Sequence, residues 1–113
     1  MKNDALLNEI SLPKESSIRD AITSLNASGK GIVLLCDEQG KLSGTITDAD
    51  VRRGLSQGFG LEDDCRAIAC LKPIAIDNGT VKADVFKKFR DTKIRALPVV
   101  LNDGYLVDCS FMD

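Results

Sequence analysis

The sequence GIVLLCDEQGKLSGTITDADVRRGL, residues 31–55, predicts a strand, a tight turn, a second strand and a helix in succession. Its first part, Ile32–Cys36, is an unbroken apolar run, which is typical of a strand buried on both faces. Turn-forming residues follow at 37–40, and Leu42–Thr47 is predicted to return as the second strand of a hairpin. We expect a helix over residues 48–55, which ends before the glycine-containing segment 56–60.

Outside this stretch, the same order of elements is predicted again. A helix before it begins at Ser16 or Ser17, carries apolar residues at helical spacing and ends at Gly29. After it, the pattern indicates a short helix, a short strand, a helix capped by Thr80, and a second hairpin. The short elements cover residues 63–71 and 74–76, and the hairpin strands cover 97–101 and 105–110.

A shift of 64 residues superimposes the two passages without a gap from Asp20 onward, so that Asp20 falls on Asp84 and Gly40 on Gly104. Neither half, at about 50 residues, can bury its apolar faces alone. We therefore expect an α/β (α+β) fold of two tandem repeats, residues 11–58 and 59–113, with pseudo-two-fold symmetry. Each is a small sheet packed on two helices, but the second is expected to lack its last helix because the chain stops at Asp113.

The composition is that of a globular protein and excludes several functions. Of the 113 residues, 43% are hydrophobic and 28% are charged, and the formal net charge is −2. Proteins that bind nucleic acid or an acidic membrane surface carry a basic patch instead. The chain has no histidine, which excludes histidine-based catalytic triads and zinc sites. With no apparent nucleophile–base pair, we expect no enzyme activity in this chain itself.

The apolar runs and the cysteines predict a cytoplasmic protein. The longest apolar run has five residues, whereas a membrane span needs about 20, and no run of signal-peptide length opens the chain. The four cysteines contain no C-x-x-C pair. We interpret Cys36 and Cys109 as small buried hydrophobes, and we assign no metal site.

The residues with chemical potential lie where the second predicted strand meets its helix. In one interpretation Thr47 and Asp50 form a capping box, in which each side chain accepts a hydrogen bond from the other's backbone amide. In the other, the same helix start binds a phosphate, with Thr47 adding a donor and Asp50 accepting from ribose hydroxyls. The residues alone leave both interpretations open.

The repeat and three segments together resemble a CBS domain pair, or Bateman module, over nearly the whole chain. The family's G-h-x-[ST]-x-x-[DN] pattern is matched by Gly44, Thr47 and Asp50. The two other segments are residues 31–37 and the I-x-x-L-P-V-V stretch at 94–100. The resemblance implies a site for an adenine nucleotide (AMP, ADP or ATP) as effector, without a required cofactor.

Carried over by position, the resemblance assigns roles to particular residues. Thr47 would contact phosphate and Asp50 would hold ribose, whereas Gly31 and Ile32 of the first repeat would line the base and phosphate region. Arg95 and Ala96 of the second repeat would line the same region, and Arg95 is a candidate phosphate ligand. In the second repeat, the counterpart of Thr47 is Phe111 and that of Asp50 lies beyond the chain, so a symmetric second site is not expected.

Residues 44–55 and 93–100 are further similar to CBS pairs that precede bacterial sugar-phosphate nucleotidyltransferase domains. This implies a regulatory part of such an enzyme, with the catalytic domain attached or as a partner. The alternative is a ligand-free dimerisation module in which Thr47 and Asp50 only cap a helix. Both hypotheses imply a homodimer, since CBS pairs commonly associate through their helices. The basic residues around Lys93 are interpreted as part of a mixed-charge surface.

Overall fold

The computed structural model describes residues 4–112 as alternating helices and strands. The helices are α1 (Asp4–Ile10), α2 (Ile18–Ser28), α3 (Asp48–Ser56) and α4 (Lys82–Thr92). The strands are β1 (Ser11–Pro13), β2 (Ile32–Cys36), β3 (Leu42–Thr47), β4 (Ile76–Asp77), β5 (Ala96–Val100) and β6 (Leu106–Phe111). The predicted mixed α/β class, both hairpins and the helices α2, α3 and α4 are thereby confirmed.

Two three-stranded sheets share one topology and one register. In the first sheet β1 runs parallel to β2 and β2 antiparallel to β3, and β4, β5 and β6 repeat this order in the second. The register shift between Leu35 and Cys36 recurs between Val99 and Val100, which lie 64 positions later. The bounds of α4 are also those of α2 plus 64. The repeat seen in the sequence is therefore a repeat of the backbone.

The two hairpin turns meet through a reciprocal pair of hydrogen bonds. The amide of Leu42 donates to the Gly104 carbonyl, and the amide of Leu106 donates to the Gly40 carbonyl, each at 3.0 Å. Adding 64 to the number of the donor Leu42 and subtracting 64 from that of the acceptor Gly104 gives the other bond, from Leu106 to Gly40. A pseudo-two-fold axis therefore passes between the turns, as the tandem-repeat prediction requires.

The central strands divide their side chains between two cores. Val33 and Leu35 of β2 pack with α2 and α3, whereas Ile32 and Leu34 point to the opposite face and pack between the sheets. This alternation is the period of two that a strand imposes. The layer between the sheets also includes Ala96 and Cys109 of the second repeat, as well as Ile10 of α1.

The structure corrects the sequence prediction at five elements, of which one is the short strand expected over residues 74–76, observed as β4 at Ile76–Asp77. Helix α1 and strand β1 were not predicted. The helix expected over residues 63–71 is reduced to the single 3-10 turn Cys65–Ala67. It does not continue because the backbone of Cys70 pairs with that of Thr45. Thr80 does not cap α4: the cap is Val81, without a side-chain bond, and the Thr80 hydroxyl donates to the Asp77 carbonyl at 2.6 Å.

The segment of residues 59–71 packs on the first repeat. The amide of Ile18 donates to the Asp63 carbonyl at 2.9 Å, and Cys65 and Ile68 are buried in the core beneath α2 and α3. The boundary between repeats at 58/59 stays a prediction. Over residues 4–112, no helix combines the length and the apolar character needed to cross a membrane.

Candidate functional site

The predicted site residues gather around one cleft between the repeats. Five of them, Gly31, Ile32, Thr47, Arg95 and Ala96, line a cleft of about 820 Å³. It lies at the starts of β2 and β5, which are pseudo-equivalent strands, beside the N-terminus of α3. Two structural facts produce it: the helix-to-strand loops of the two repeats face each other, and β3 ends beside them.

The sixth predicted residue, Asp50, lines a smaller adjoining cavity of about 230 Å³. Ile32, Thr47, Ile94 and Ala96 line both spaces, which therefore adjoin, and the two together are called the groove below. The smaller end is mostly apolar. The remaining apolar side chains that line it come from the connection to the second repeat and from β5, namely Pro73, Ile74 and Pro98.

Thr47 and Asp50 form the predicted capping box at the start of α3. The amide of Asp50 donates to Thr47 Oγ1 at 3.3 Å, and the amide of Thr47 donates to Asp50 Oδ2 at 2.9 Å. The Thr47 hydroxyl also donates to Asp50 Oδ2, at 3.1 Å. Both side chains are therefore held in fixed positions beside the groove.

The second oxygen of Asp50 is occupied by a residue that the sequence analysis did not single out for the site. Arg53, one turn further along α3, donates from its guanidinium to Asp50 Oδ1. The Asp50 side chain is only 14% exposed, whereas that of Arg53 is 57% exposed. A ligand hydroxyl that binds to Asp50 must therefore share or displace the Arg53 contact, which contributes little energy because the guanidinium lies mostly in solvent.

Gly44, the first residue of the motif, is required by a close backbone approach. A Cβ at this position would lie 2.9 Å from the Cys70 carbonyl oxygen. That carbonyl accepts from the Thr45 amide at 3.0 Å, and the Cys70 amide donates to the Thr45 carbonyl at 2.9 Å. The glycine thus lets the connecting segment pair with β3 and form one wall of the apolar cavity.

The larger end of the groove is cationic. Lys30 from the first repeat and Lys93 and Arg95 from the second line it, together with the single carboxylate of Asp48. Within residues 4–112, none of these three cations forms an ion pair. Arg95 was predicted as a site residue, whereas Lys93 was assigned to a mixed-charge surface and Lys30 was not singled out, because only the fold brings their two loops together.

The pseudo-equivalent position on the other side of the axis is filled by apolar side chains. Phe111 replaces Thr47 there, and Lys30 Nζ lies 5.5 Å from the centroid of its ring. Helix α1 covers this side: Ile10 is fully buried between the sheets, with Leu6, Leu7 and Phe111 packed against that cluster. The groove is thus asymmetric, although the backbone is nearly symmetric.

The cysteines differ in their environments. Cys70 is exposed and lines the apolar cavity. Burial raises the pKa of Cys65 to about 11 and that of Cys109 to about 12, and it also raises the pKa of the half-buried Cys36. The thiolate is the reactive form of cysteine, so the raised pKa values and burial of Cys65 and Cys109 make these two thiols unreactive. Cys70 is exposed and therefore accessible to reagents.

Comparison with known proteins shows what the chain is similar to. Residues 5–57 match the model of the CBS domain. The chain is 33% identical over 90 residues to arabinose 5-phosphate isomerase KdsD of Pseudomonas aeruginosa. This match covers 75% of this chain and 26% of that protein. Over 106 residues it is 29% identical to arabinose 5-phosphate isomerase GutQ of Escherichia coli, with 94% of the chain and 32% of the relative covered. The chain therefore spans about a quarter to a third of the length of these relatives.

The fold is shared with solved CBS structures. A CBS domain protein of Pyrobaculum aerophilum, solved in complex with AMP, superimposes with a TM-score of 0.81 at 24% identity, covering 98% of this chain and 87% of the other. The CBS domain pair of protein MJ0100, solved with 5′-methylthioadenosine and S-adenosyl-L-methionine, gives 0.79 at 24% identity, with coverages of 90% and 80%. Residues 5–57 therefore match the CBS domain model, and the chain as a whole has the fold of a CBS domain pair.

Proposed function

We propose that this chain is a regulatory module that binds an adenine-type nucleotide in the groove between its repeats. The observation that carries the proposal is that all six residues predicted from the sequence line one groove, which has an apolar end and a cationic end. A nucleotide has the same division, with a flat base at one end and phosphate at the other. The adenosyl compounds in the two solved relatives support this ligand class.

In this proposal each residue contacts one part of the ligand. The base lies in the apolar cavity against Ile32 and Ala96, and Asp50 accepts from the ribose hydroxyls beside it. Thr47 and Arg95 face the phosphate, which lies near the N-terminus of α3. Because the groove is built from both repeats, a bound ligand stabilises one relative arrangement of them, and its differential affinity for two arrangements sets the regulatory effect.

The regulated enzyme is proposed to act on a sugar phosphate. The sequence resemblance suggested a nucleotidyltransferase, but that finer assignment finds no support in the relatives named above, which are arabinose 5-phosphate isomerases. We therefore favour an attached or partner isomerase. A homodimer and a cytoplasmic location remain part of the proposal. The exposed side chains of Phe86 on α4 and of Val81 just before it support self-association. Sedimentation analysis of the purified chain tests the homodimer.

The test is thermal unfolding of the chain against AMP, ADP, ATP, GTP and S-adenosylmethionine. A ligand at 100 times its dissociation constant stabilises the folded state by about 2.7 kcal/mol, which raises the midpoint of a domain of this size by several degrees. The expected result is a saturable rise with an adenine nucleotide. Asp50→Asn should abolish the rise while changing the stability of the free protein by less than about 1 kcal/mol, because asparagine retains capping ability.

The chain provides a matched control for this variant. Ser17 and Asp20 form a second capping box at the start of α2, where the Asp20 amide and the Ser17 side chain are 3.1 Å apart. Asp20→Asn changes the same chemical group outside the groove and should leave ligand binding intact. Alkylation supplies an independent readout: a bound base should protect Cys70, while the buried Cys65 and Cys109 stay unreactive with or without ligand.

A ligand-free dimerisation module is the second candidate. The observation that favours it is that both carboxylate oxygens of Asp50 already have partners, namely Thr47 on one and Arg53 on the other. In that case Asp50→Asn and Asp20→Asn would have similar effects on stability. No nucleotide would raise the unfolding midpoint or protect Cys70.

A further inference from the structure

We infer that the ligand of this groove carries a diphosphate or longer anionic tail, and that Lys30, Lys93 and Arg95 select it by charge. The inference rests on the proposed function and specifies the chemical class of the ligand. The first observation is size. The cationic part of the groove, at about 820 Å³, has more than three times the volume of the apolar cavity, at about 230 Å³. This part of the groove therefore has room for more than a single phosphate.

The second observation is charge and its origin. The loop that connects α2 to β2 supplies Lys30, and the pseudo-equivalent loop from α4 to β5 supplies Lys93 and Arg95. The cations therefore approach from opposite repeats, and Lys30 must leave its position 5.5 Å from the centroid of the Phe111 ring to contact a ligand in the groove. Within residues 4–112 their side chains form no ion pair, and the lining of this part of the groove contains a single carboxylate, that of Asp48.

The excess of two positive charges favours a multiply charged anion over a neutral or cationic ligand. Adenosine has no charge to place there, and the sulfonium of S-adenosylmethionine would face the cations directly. AMP can engage some of the cations, but a diphosphate can reach across the cleft and contact both loops. A nucleoside polyphosphate and a nucleotide sugar both contain the diphosphate that the cations recognise, and the experiment distinguishes these two sources of the tail.

The experiment measures dissociation constants by calorimetry for adenosine, AMP, ADP, ATP, ADP-glucose and S-adenosylmethionine. ADP should bind more tightly than AMP by about fivefold or more, the equivalent of one further exposed charge contact. The preference for ADP over AMP should shrink as the salt concentration rises from about 0.1 to about 1 M, because the Debye screening length falls from about 10 to about 3 Å. Similar affinities for ADP and ADP-glucose would indicate that the diphosphate is sufficient, whereas tighter binding of one of them identifies the source of the tail.

The variants make the test directional. Lys93→Gln and Lys30→Gln should each weaken ADP binding by about fivefold and leave adenosine binding unchanged, and Asp48→Asn should strengthen ADP binding. Lys88→Gln is the control because Lys88 lies on α4, outside the groove, and its replacement changes the net charge equally.

The outcomes separate this inference from the proposed function. Equal affinities for AMP and ADP, or equal effects of Lys93→Gln and Lys88→Gln, would overturn the selection by charge and leave nucleotide binding standing. Binding of S-adenosylmethionine in preference to ADP would do the same. Absence of binding by every adenine compound would overturn the proposed function together with the inference.

Discussion

The two repeats share a backbone but differ where β3 and β6 end. In the first repeat, Thr47 closes the strand and caps α3; in the second, Phe111 occupies the same register position opposite the first residue of its partner strand. Gly44 in β3 likewise corresponds to Asp108 in β6. The sheet constrains only the alternation of apolar side chains. Gly44 and Asp108 are therefore able to differ within the strands, and Thr47 and Phe111 are able to differ at the strand ends. One repeat uses them for a polar helix start and the other for packing.

The cores beneath the outer helices differ as well. In the first repeat, α2, α3 and the segment that contains Cys65 and Ile68 enclose a continuous core. The core of the second repeat is formed by α4 and its sheet, with Phe89 buried but Phe86 61% exposed. The start of α2 has a capping box, whereas that of α4 has no side-chain cap. The second repeat thus has fewer local features that oppose opening.

The largest expected effect comes from replacing Gly44, a glycine that the second repeat lacks at the corresponding position. Gly44→Ala places a Cβ 2.9 Å from the Cys70 carbonyl oxygen, and the overpacking should lower the free energy of unfolding by about 1–3 kcal/mol. The control Asp108→Ala, at the pseudo-equivalent position, should cost less than about 1 kcal/mol. Denaturant unfolding measures both.

The same variant should loosen the connecting segment. With the pairing of Thr45 and Cys70 weakened, alkylation of Cys70 should accelerate in Gly44→Ala and stay at the wild-type rate in Asp108→Ala. Equal losses of stability in the two variants would show that the close approach at Gly44 is not what distinguishes the repeats.

The sequence was sufficient for most of the fold because the apolar alternation and the 64-residue shift are local or periodic signals. It did not predict α1, whose helix is stabilised by burying Ile10 between sheets that are far apart in sequence. Residues 63–71 have helical apolar spacing, but the hydrogen bonds of Cys70 with Thr45 pull the chain out of a helix. In both segments, contacts with distant residues outweighed local preference.

The site residues that belong to a sequence motif were predictable, whereas those that only the packing of the repeats brings together were not. Thr47 and Asp50 are three residues apart, so their mutual geometry follows from a helix start. Lys30 and Lys93 lie 63 positions apart, and their approach depends on how the repeats pack. Arg53 was not singled out for the site, although its spacing of three residues from Asp50 on a helix permits the observed ion pair.

A smaller effect is expected from giving α4 the cap that α2 has. Ser17→Ala should lower the free energy of unfolding by about 1 kcal/mol, and Val81→Ser should raise it by about 0.5–1 kcal/mol. Asp84 already stands three residues after Val81, where Asp20 stands relative to Ser17, so a capping box can form. Val81 is 62% exposed and loses little packing when replaced.

Hydrogen exchange at the first turn of α4 distinguishes the cap from other causes. Val81→Ser should slow this exchange, while Val81→Ala, which removes the same apolar surface without adding an oxygen, should not. If both variants behave alike, the missing cap is not the reason that the second repeat opens more easily.

The smallest expected effect concerns the residues that end α2 and α4. Gly29 has φ 65° and the pseudo-equivalent Lys93 has φ 60°, so a lysine adopts the left-handed conformation that glycine adopts in the first repeat. Lys93→Gly should relieve about 1–2 kcal/mol of backbone strain in the folded state. Glycine's greater conformational entropy in the unfolded chain should offset about 0.5–1 kcal/mol of this gain. The net stabilisation should be about 0.5 kcal/mol, measured by denaturant unfolding.

Lys93→Ala separates the strain of this position from its charge. Alanine keeps the left-handed strain and removes the ammonium group, so it should weaken ADP binding as Lys93→Gly does without raising stability. Strain that persists at a binding groove is common where the side chain is needed there. If Lys93→Gly gains stability and keeps full ADP affinity, the lysine has no role in the groove, and the difference between Gly29 and Lys93 has no functional cause.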